Sequence, residues 1–555
     1  MEGTRARRLL LVGTVVLLVI RLVLVLFRTG PLVVADEAGY LMNARALTGG
    51  VRGQLEAAPF YRGGYSLLIA PLVAIFSDPV TAYRLILVLN VVLAAAVAPL
   101  LYLLLTRHFR TPPHTAVWPS LAAAAYPSVT LFSQVALSEN LLVPLAVVWL
   151  LCFGGLLEAS RARARAWWGL ALGAATIALF AVHGRMIVAV ALTVAALALL
   201  VARRRLPALP AFLSVAVIAA GYVGVRFLND FLISRNYGGH QPDEVGERLS
   251  SLGDVDGVLS VARNLVGQTW YVMVATLGVV VAFAIGGGLR GLLAIRRRDV
   301  VTSELLLALL LATGGGLLVL SALSFRDVER PDMFIYGRYA ETVVPPLLAL
   351  ALARLGAMGR YPRLRTVTLT LAGASVAVVA LRAGLNPPRG SNRWNVASLP
   401  FPTFGLGMTT LVGAAIVAVA ATLTGAALVR RAPALLAPAV LVAFLPTTAV
   451  VERNPAFSGE RDVYRNGWTS PAAAATDARV VAYDMDQYDI FGLYAYQWFT
   501  PHSRFVLFSG SAGAPPARYV ISSHEWGRRH QQLRARELWA DPNRDQVLSR
   551  VTPMR

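Results

Sequence analysis

Long apolar runs alternate with short polar gaps through the first four-fifths of the chain. A stretch of about 20 apolar residues is long enough to cross a bilayer as a helix. Runs of that kind cover Leu9–Phe27, Thr81–Leu105, Thr115–Ser133, Asn140–Leu157, Trp167–Val182, Met186–Ala202 and Ala211–Phe227. They continue at Gln268–Leu289, Ser303–Leu323, Thr342–Leu352, Thr366–Leu381, Leu406–Val429 and Ala434–Val451. The pattern predicts an α-helical polytopic membrane protein with about 13 transmembrane helices over residues 1–451. The first run is too long for a signal-peptide core of roughly 7–15 residues, so it reads as a span. Beyond Val451 the pattern changes. Arg479–Met485, Arg504–Phe508 and Arg518–Ser522 read as strands and Phe491–Phe499 as a helix, so residues 452–555 are expected to form a small extracytoplasmic α/β domain.

Charge orients the spans. The 555 residues are 56% hydrophobic and only 15% charged, which excludes an ordinary soluble enzyme and a disordered chain. The net charge of +21 comes from arginine alone. The arginines gather in alternate gaps: Arg5/Arg7/Arg8, Arg107/Arg110, Arg161/Arg163/Arg165, Arg203–Arg205, Arg296–Arg298, Arg360/Arg363/Arg365 and Arg430/Arg431. This periodic placement argues against nucleic acid as the partner and puts those gaps and the N-terminus in the cytoplasm. With an odd number of spans, the C-terminal domain lies outside, in a multi-pass plasma-membrane protein. The single cysteine, Cys152, excludes an intramolecular disulfide and a thiolate metal site.

Candidate chemistry lies in the intervening, outer gaps. The first holds Asp36-Glu37, Tyr40 four residues on, and Arg62. Asp36 and Tyr40 share a face if this stretch is helical, although Asp36 reads equally well as a helix N-cap. Glu139, within Leu137-Ser138-Glu139-Asn140, stands at the outer end of another run, where Ser138 reads as a cap. Arg185 follows His183-Gly184 with almost no loop, and an arginine at that depth is costly unless paired or functional. Arg21, inside the first run, is expected to snorkel. The gap Ser324–Glu341 carries Arg326, Asp327, Glu329, Arg330 and Asp332, then Tyr336-Gly337-Arg338-Tyr339-Ala340-Glu341. Arginine forks there suit phosphate, and a solvated ion-pair loop is the competing reading. The gap Arg226–Gly267, with Tyr237-Gly238-Gly239-His240, reads as a lid, an acceptor-binding loop or a plain solvated loop. Tyr483–Asp489 lacks the spacing of a calcium loop and reads as a strand end before a helix.

On these residues the chain resembles the GT-C superfamily of membrane glycosyltransferases. The group in view is the polyprenyl-phosphate-sugar-dependent one of protein O-mannosyltransferases and aminoarabinose transferases. Asp36-Glu37 with Tyr40 matches the acidic motif of the first outer loop, Ser138-Glu139-Asn140 a second acidic position, and Phe180–Arg185 the segment where relatives place a basic residue toward the lipid phosphate. The resemblance implies an inverting sugar transfer from a polyprenyl-phosphate donor, within membrane lipid, to an extracytoplasmic acceptor that is a glycan, lipid or protein. It implies Asp36 as base with Glu37 as the alternative, Arg185 and Arg338 at the donor phosphate, and Tyr40, Arg62, Glu139 and Tyr336 at the substrate. No cofactor is certain. Asp36 and Glu139 could hold Mg²⁺ or Mn²⁺ through oxygen. The rival reading is a polytopic transporter or lipid flippase of the cell envelope.

Overall fold

A computed structural model describes residues 2–26, 28, 30–32, 35–56, 58–239, 255–294, 301–325, 330–358, 361–383, 393–400, 407–452, 478–486, 490–511, 515–530, 533–540 and 545–552. Arg326, Asp327, Glu329, His240 and most of the long gap after it lie outside the described residues.

Each apolar run becomes helix, but not each becomes a single spanning helix. Among the described residues ten helices are long and apolar enough to cross a membrane, or up to 11 if one bent pair is a single span. That falls short of the expected count for three physical reasons. The run at Thr115–Ser133 is broken into Pro113–Ala124 and Pro127–Phe132, because Pro127 forces Tyr126 into an extended conformation. The run at Gln268–Leu289 bends by 97° between Val255–Ala275 and the helical segment that starts at Val279, where Leu277 and Gly278 take positive φ. The run at Thr342–Leu352 yields a helix of only 15 residues, Val344–Met358. Two further helices, Ala35–Leu47 and Gly63–Ile75, lie between the first two expected spans, the former wholly within what reads from the sequence as a loop.

The break before Pro127 explains Arg21. A broken helix leaves a carbonyl unpaired in a place water does not reach. Arg21 is 1% exposed, donates from Nη2 to the Ala124 carbonyl, and bonds the Thr130 hydroxyl at 3.1 Å. It does not snorkel: it repairs the break.

Two buried asparagines hold the irregular backbone between Ser133 and Ser138. Asn90 donates to the Val135 carbonyl at 3.0 Å, and Asn140 donates to Val135 and Leu137 at 2.9 and 3.0 Å. These bonds satisfy backbone groups that a bilayer could not, so the loop in front of Glu139 is held in one shape.

The C-terminal part forms a five-stranded sheet in the order β2-β1-β3-β5-β4, where β1 is Val480–Asp484, β2 Arg504–Phe508, β3 Tyr519–Ser522, β4 Arg536–Ala540 and β5 Val547–Arg550. The first three strands are parallel and the last two antiparallel to their neighbours. β1, β2 and β3 fall within two residues of the expected strands, while β4 and β5 were not anticipated. Asp484 ends β1 and accepts from the amides of Asp486 and Gly510, both at 3.0 Å. The helix Ile490–Phe499 seats this unit on the helix Ala35–Leu47: Arg45 donates to the carbonyls of Gln497 and Trp498, the latter at 2.9 Å.

Candidate active site

Four charged groups from four parts of the chain meet at one end of the bundle. Arg338 reaches Asp36 at 2.5 Å and Glu139 at 2.9 and 3.0 Å, the latter through a two-pronged fork. Glu139 also accepts from Arg185 at 3.2 Å. Arg185 donates to the Thr342 hydroxyl at 3.2 Å and lies 4.6 Å over the Tyr339 ring. The set carries two positive and two negative charges and balances itself. Burial alone would weaken the charge on Arg338, but Glu139 and then Asp36 outweigh it and hold the guanidinium ionised well above the ordinary arginine range.

The two carboxylates differ in access. The Asp36 side chain is 30% exposed and that of Glu139 only 2%. Glu139 is therefore an interior counter-charge that fixes both arginines, and Asp36 is the one a substrate can touch. Arg185 keeps two buried guanidinium nitrogens, Nε and Nη1, without a partner. Unused donors on a buried cation leave it able to take further acceptor oxygens.

Local structure explains each placement. Asp36 and Glu37 form the acidic first turn of Ala35–Leu47, where the helix N-terminus favours negative charge. Glu37 is fully buried and accepts from the Leu32 amide at 2.6 Å, the Tyr83 hydroxyl at 2.6 Å and the Ala136 amide at 2.9 Å. It ties the helix start to Pro79–Arg107 and to the Ser133–Ser138 loop, and so aims its neighbour Asp36. Glu139 opens the helix Glu139–Glu158. Arg185 sits in a 3₁₀ turn, Gly184–Met186, whose start is capped by His183 accepting the Arg185 amide at 3.3 Å.

The remaining predicted residues line the surroundings. Tyr40 donates to Ser138 Oγ at 2.8 Å, and Ser138 bonds Glu139 at 3.3 Å, so Tyr40 joins the network through a hydroxyl relay. Arg62 lies 4.0 Å over the Phe180 ring and against Gly184, where a Cβ would come within 2.8 Å of its Nε. Tyr336 packs with Phe325 at 4.3 Å and with Tyr339 at 5.3 Å between ring centres. Tyr237, from the long gap, is buried and receives the Asn43 amide at 3.3 Å. Residues not anticipated are Tyr61, whose ring packs on Tyr40 at 5.5 Å between centres and whose hydroxyl burial and the Asp36 charge together hold protonated, and Thr342. Tyr61 follows the acidic motif by 25 positions, and no spacing rule connects the two. The cavity that Glu139 lines is about 10 Å³, room for one water, so the charged cluster is closed on that side. A larger, open apolar groove of about 580 Å³ begins at Gly64, beside Arg62, and is bounded by Leu67, Ala178, Ala181, Gly221 and Gly224.

No family model matches the sequence, and no curated protein matches it either. Solved structures do match in shape. ArnT from Cupriavidus metallidurans bound to undecaprenyl phosphate superposes with a TM-score of 0.53 at 16% identity, covering 97% of this chain and 97% of that one. The same enzyme in the apo state gives 0.53 and 16%, covering 99% and 98%. The Archaeoglobus fulgidus oligosaccharyltransferase in its apo form gives 0.48 and 13%, covering 92% and 69%. The chain thus shares the fold of the ArnT structures over nearly its whole length.

Proposed function

We propose that this protein is a membrane glycosyltransferase that moves a sugar from a polyprenyl-phosphate donor to an extracytoplasmic acceptor. One observation carries the reading: Arg338 joins an exposed carboxylate, Asp36, to a buried one, Glu139, which also holds Arg185. In this account the acceptor hydroxyl or amine gives its proton to Asp36 and attacks the anomeric carbon from the face opposite the phosphate. The bond from that carbon to the phosphate oxygen breaks, polyprenyl phosphate leaves with an added charge, and the configuration inverts. Arg338 and the unused donors of Arg185 receive that charge. Arg62 and Tyr336 border the donor, and Tyr40 steadies Glu139 through Ser138.

A divalent cation does not fit this donor set. The positive charge between Asp36 and Glu139 is already a guanidinium, and among the described residues no three His, Cys, Asp or Glu side chains cluster. The reaction proposed therefore uses arginine where Mg²⁺ or Mn²⁺ was the alternative. The apolar groove beside Arg62 suits an isoprenoid tail, and the undecaprenyl phosphate carried by the ArnT structure is a ligand of that chemistry. A transporter would need charges near the bilayer midplane, whereas these gather at helix ends.

The test is a transfer assay with purified protein in lipid nanodiscs and a panel of polyprenyl-phosphate hexoses, pentoses and amino-sugars. Release of polyprenyl phosphate from at least one donor, dependent on added envelope acceptor, is expected. Intact donors across the whole panel would refute the assignment.

A further inference from the structure

The turn that carries Arg338 rests on a buried carboxylate that the proposed reaction does not use. Glu341 is 1% exposed and follows Arg338 by three residues, directly before Thr342, the partner of Arg185. Its Oε1 accepts from the Tyr271 hydroxyl, and the Tyr271 oxygen in turn accepts the Ser398 amide at 3.0 Å. Its Oε2 has no hydrogen-bond partner. Glu341 lines the one-water cavity together with Glu139, Asn140, Ser128 and Thr342. A buried carboxyl with one oxygen unpaired, lining the same small and mostly apolar cavity as a second carboxyl, is poorly arranged to be charged.

We propose that Glu341 is a positioning residue whose protonation sets the affinity of the arginine cluster for the donor's phosphate. When it is neutral, the cluster of Asp36, Glu139, Arg185 and Arg338 is balanced and can accept an anion. When Glu341 ionises, a third carboxylate faces Arg338, the site becomes net negative, and an incoming phosphodiester is opposed. This inference rests on the donor reading of the site. Burial pushes the Glu341 carboxyl up to about 7, against the bond from Tyr271, the nearby Ser398 and the charge of Arg338, which lower it; Glu139 raises it further. The other groups facing Glu341 are Tyr271 from Val255–Ala275, Tyr126 at the helix break, Glu139, and Arg338 on its own segment. The helices Thr302–Ser324 and Val344–Met358 that pack on this turn carry only Glu304 and Arg354 as charges, both toward their far ends.

Binding of geranylgeranyl methyl phosphate, a diester with one charge at every pH used, is measured on purified protein between pH 6 and 8.5. Wild-type affinity is expected to fall by about threefold or more through neutrality, as a single linked proton allows. Glu341→Gln, which keeps an acceptor for Tyr271, is expected to bind equally across the range. Tyr271→Phe, which removes a bond that lowers the Glu341 carboxyl, is expected to shift the fall to higher pH. A flat wild-type profile, or an equal fall in Glu341→Gln, overturns the inference and leaves the donor site standing. No binding by either protein at any pH removes the donor site as well.

Discussion

Arg338 is the residue on which the site turns. It links Asp36 to Glu139, and among the described residues the other charged partner of Glu139 is Arg185. Removing one partner of a buried ion pair leaves an uncompensated charge, at a typical cost of about 3–5 kcal/mol. Arg338→Met is therefore expected to lower both stability and turnover, and Arg338→Met with Glu139→Gln, which also strips the buried Arg185 of its carboxylate, is expected to lose more stability than the single variant and to regain no turnover. Thermal unfolding in detergent beside a transfer assay checks this, and equal losses in single and double variants would contradict it. Glu341 gives a stability prediction of definite sign. Its carboxyl is raised above the ordinary glutamate value, so folding penalises its ionisation. The penalty is absent below about pH 4, grows as pH rises, and levels off above about 7. Glu341→Gln should raise the melting temperature at pH 8 and leave it unchanged at pH 4.

At the scale of elements, short irregular segments do the positioning. Gly337 lies against Tyr271 so closely that a Cβ there would come within 1.8 Å of Tyr271 Cε1. The same tyrosine ring carries the hydroxyl bonded to Glu341. Gly337→Ala is expected to displace the Arg338 turn and cut transfer at least tenfold, while circular dichroism retains the helical signal; near-normal transfer would show that the turn tolerates the shift. The segment's charges were legible in the sequence because charge beside an apolar run demands an explanation, and the same rule marked Asp36, Glu139 and Arg185. What stayed hidden was partnership. Tyr271 and Glu341 are 70 positions apart, and Tyr271 sits in an apolar run with nothing to mark its hydroxyl. Glu37 reads like a second catalytic acid in sequence, yet three donors bind it into the frame. Arg21 reads as a snorkelling residue because the carbonyl it repairs, that of Ala124, is opened by Pro127 and lies 103 positions further along the chain.

On the scale of the whole molecule, the arginine pattern and the site agree in direction. Helices Pro79–Arg107 and Ile187–Ala202 end beside Arg107–Arg110 and Arg203–Arg205, while Glu139 and Arg185 open the helices that run toward the arginine clusters. The number of spans was less legible than their presence, since hydropathy records apolar length but not where proline or a positive φ interrupts it. The orientation proposed here predicts that a cysteine replacing Arg528, exposed after β3, reacts with a membrane-impermeant maleimide in intact cells. One replacing Arg163, exposed in the first turn of Ala162–Val182, reacts only after lysis. The reverse pattern would place the site on the cytoplasmic side. The apolar groove offers a second check. Gly224 lines the groove and has nothing within 4 Å of an added Cβ, so Gly224→Leu is expected to narrow it. It should raise the KM for long-chain donors several-fold and spare short-chain ones.

The central claim is that Asp36 takes the acceptor's proton in a site held by Glu139, Arg185 and Arg338. Its most direct test is single-turnover transfer by Asp36→Asn, with an active donor and acceptor pair, beside equilibrium binding of that donor. The account predicts donor binding within about threefold of wild type and a transfer rate lower by a factor on the order of 10² to 10⁴, the usual contribution of a general base. Transfer by Asp36→Asn at a rate near wild type would contradict it.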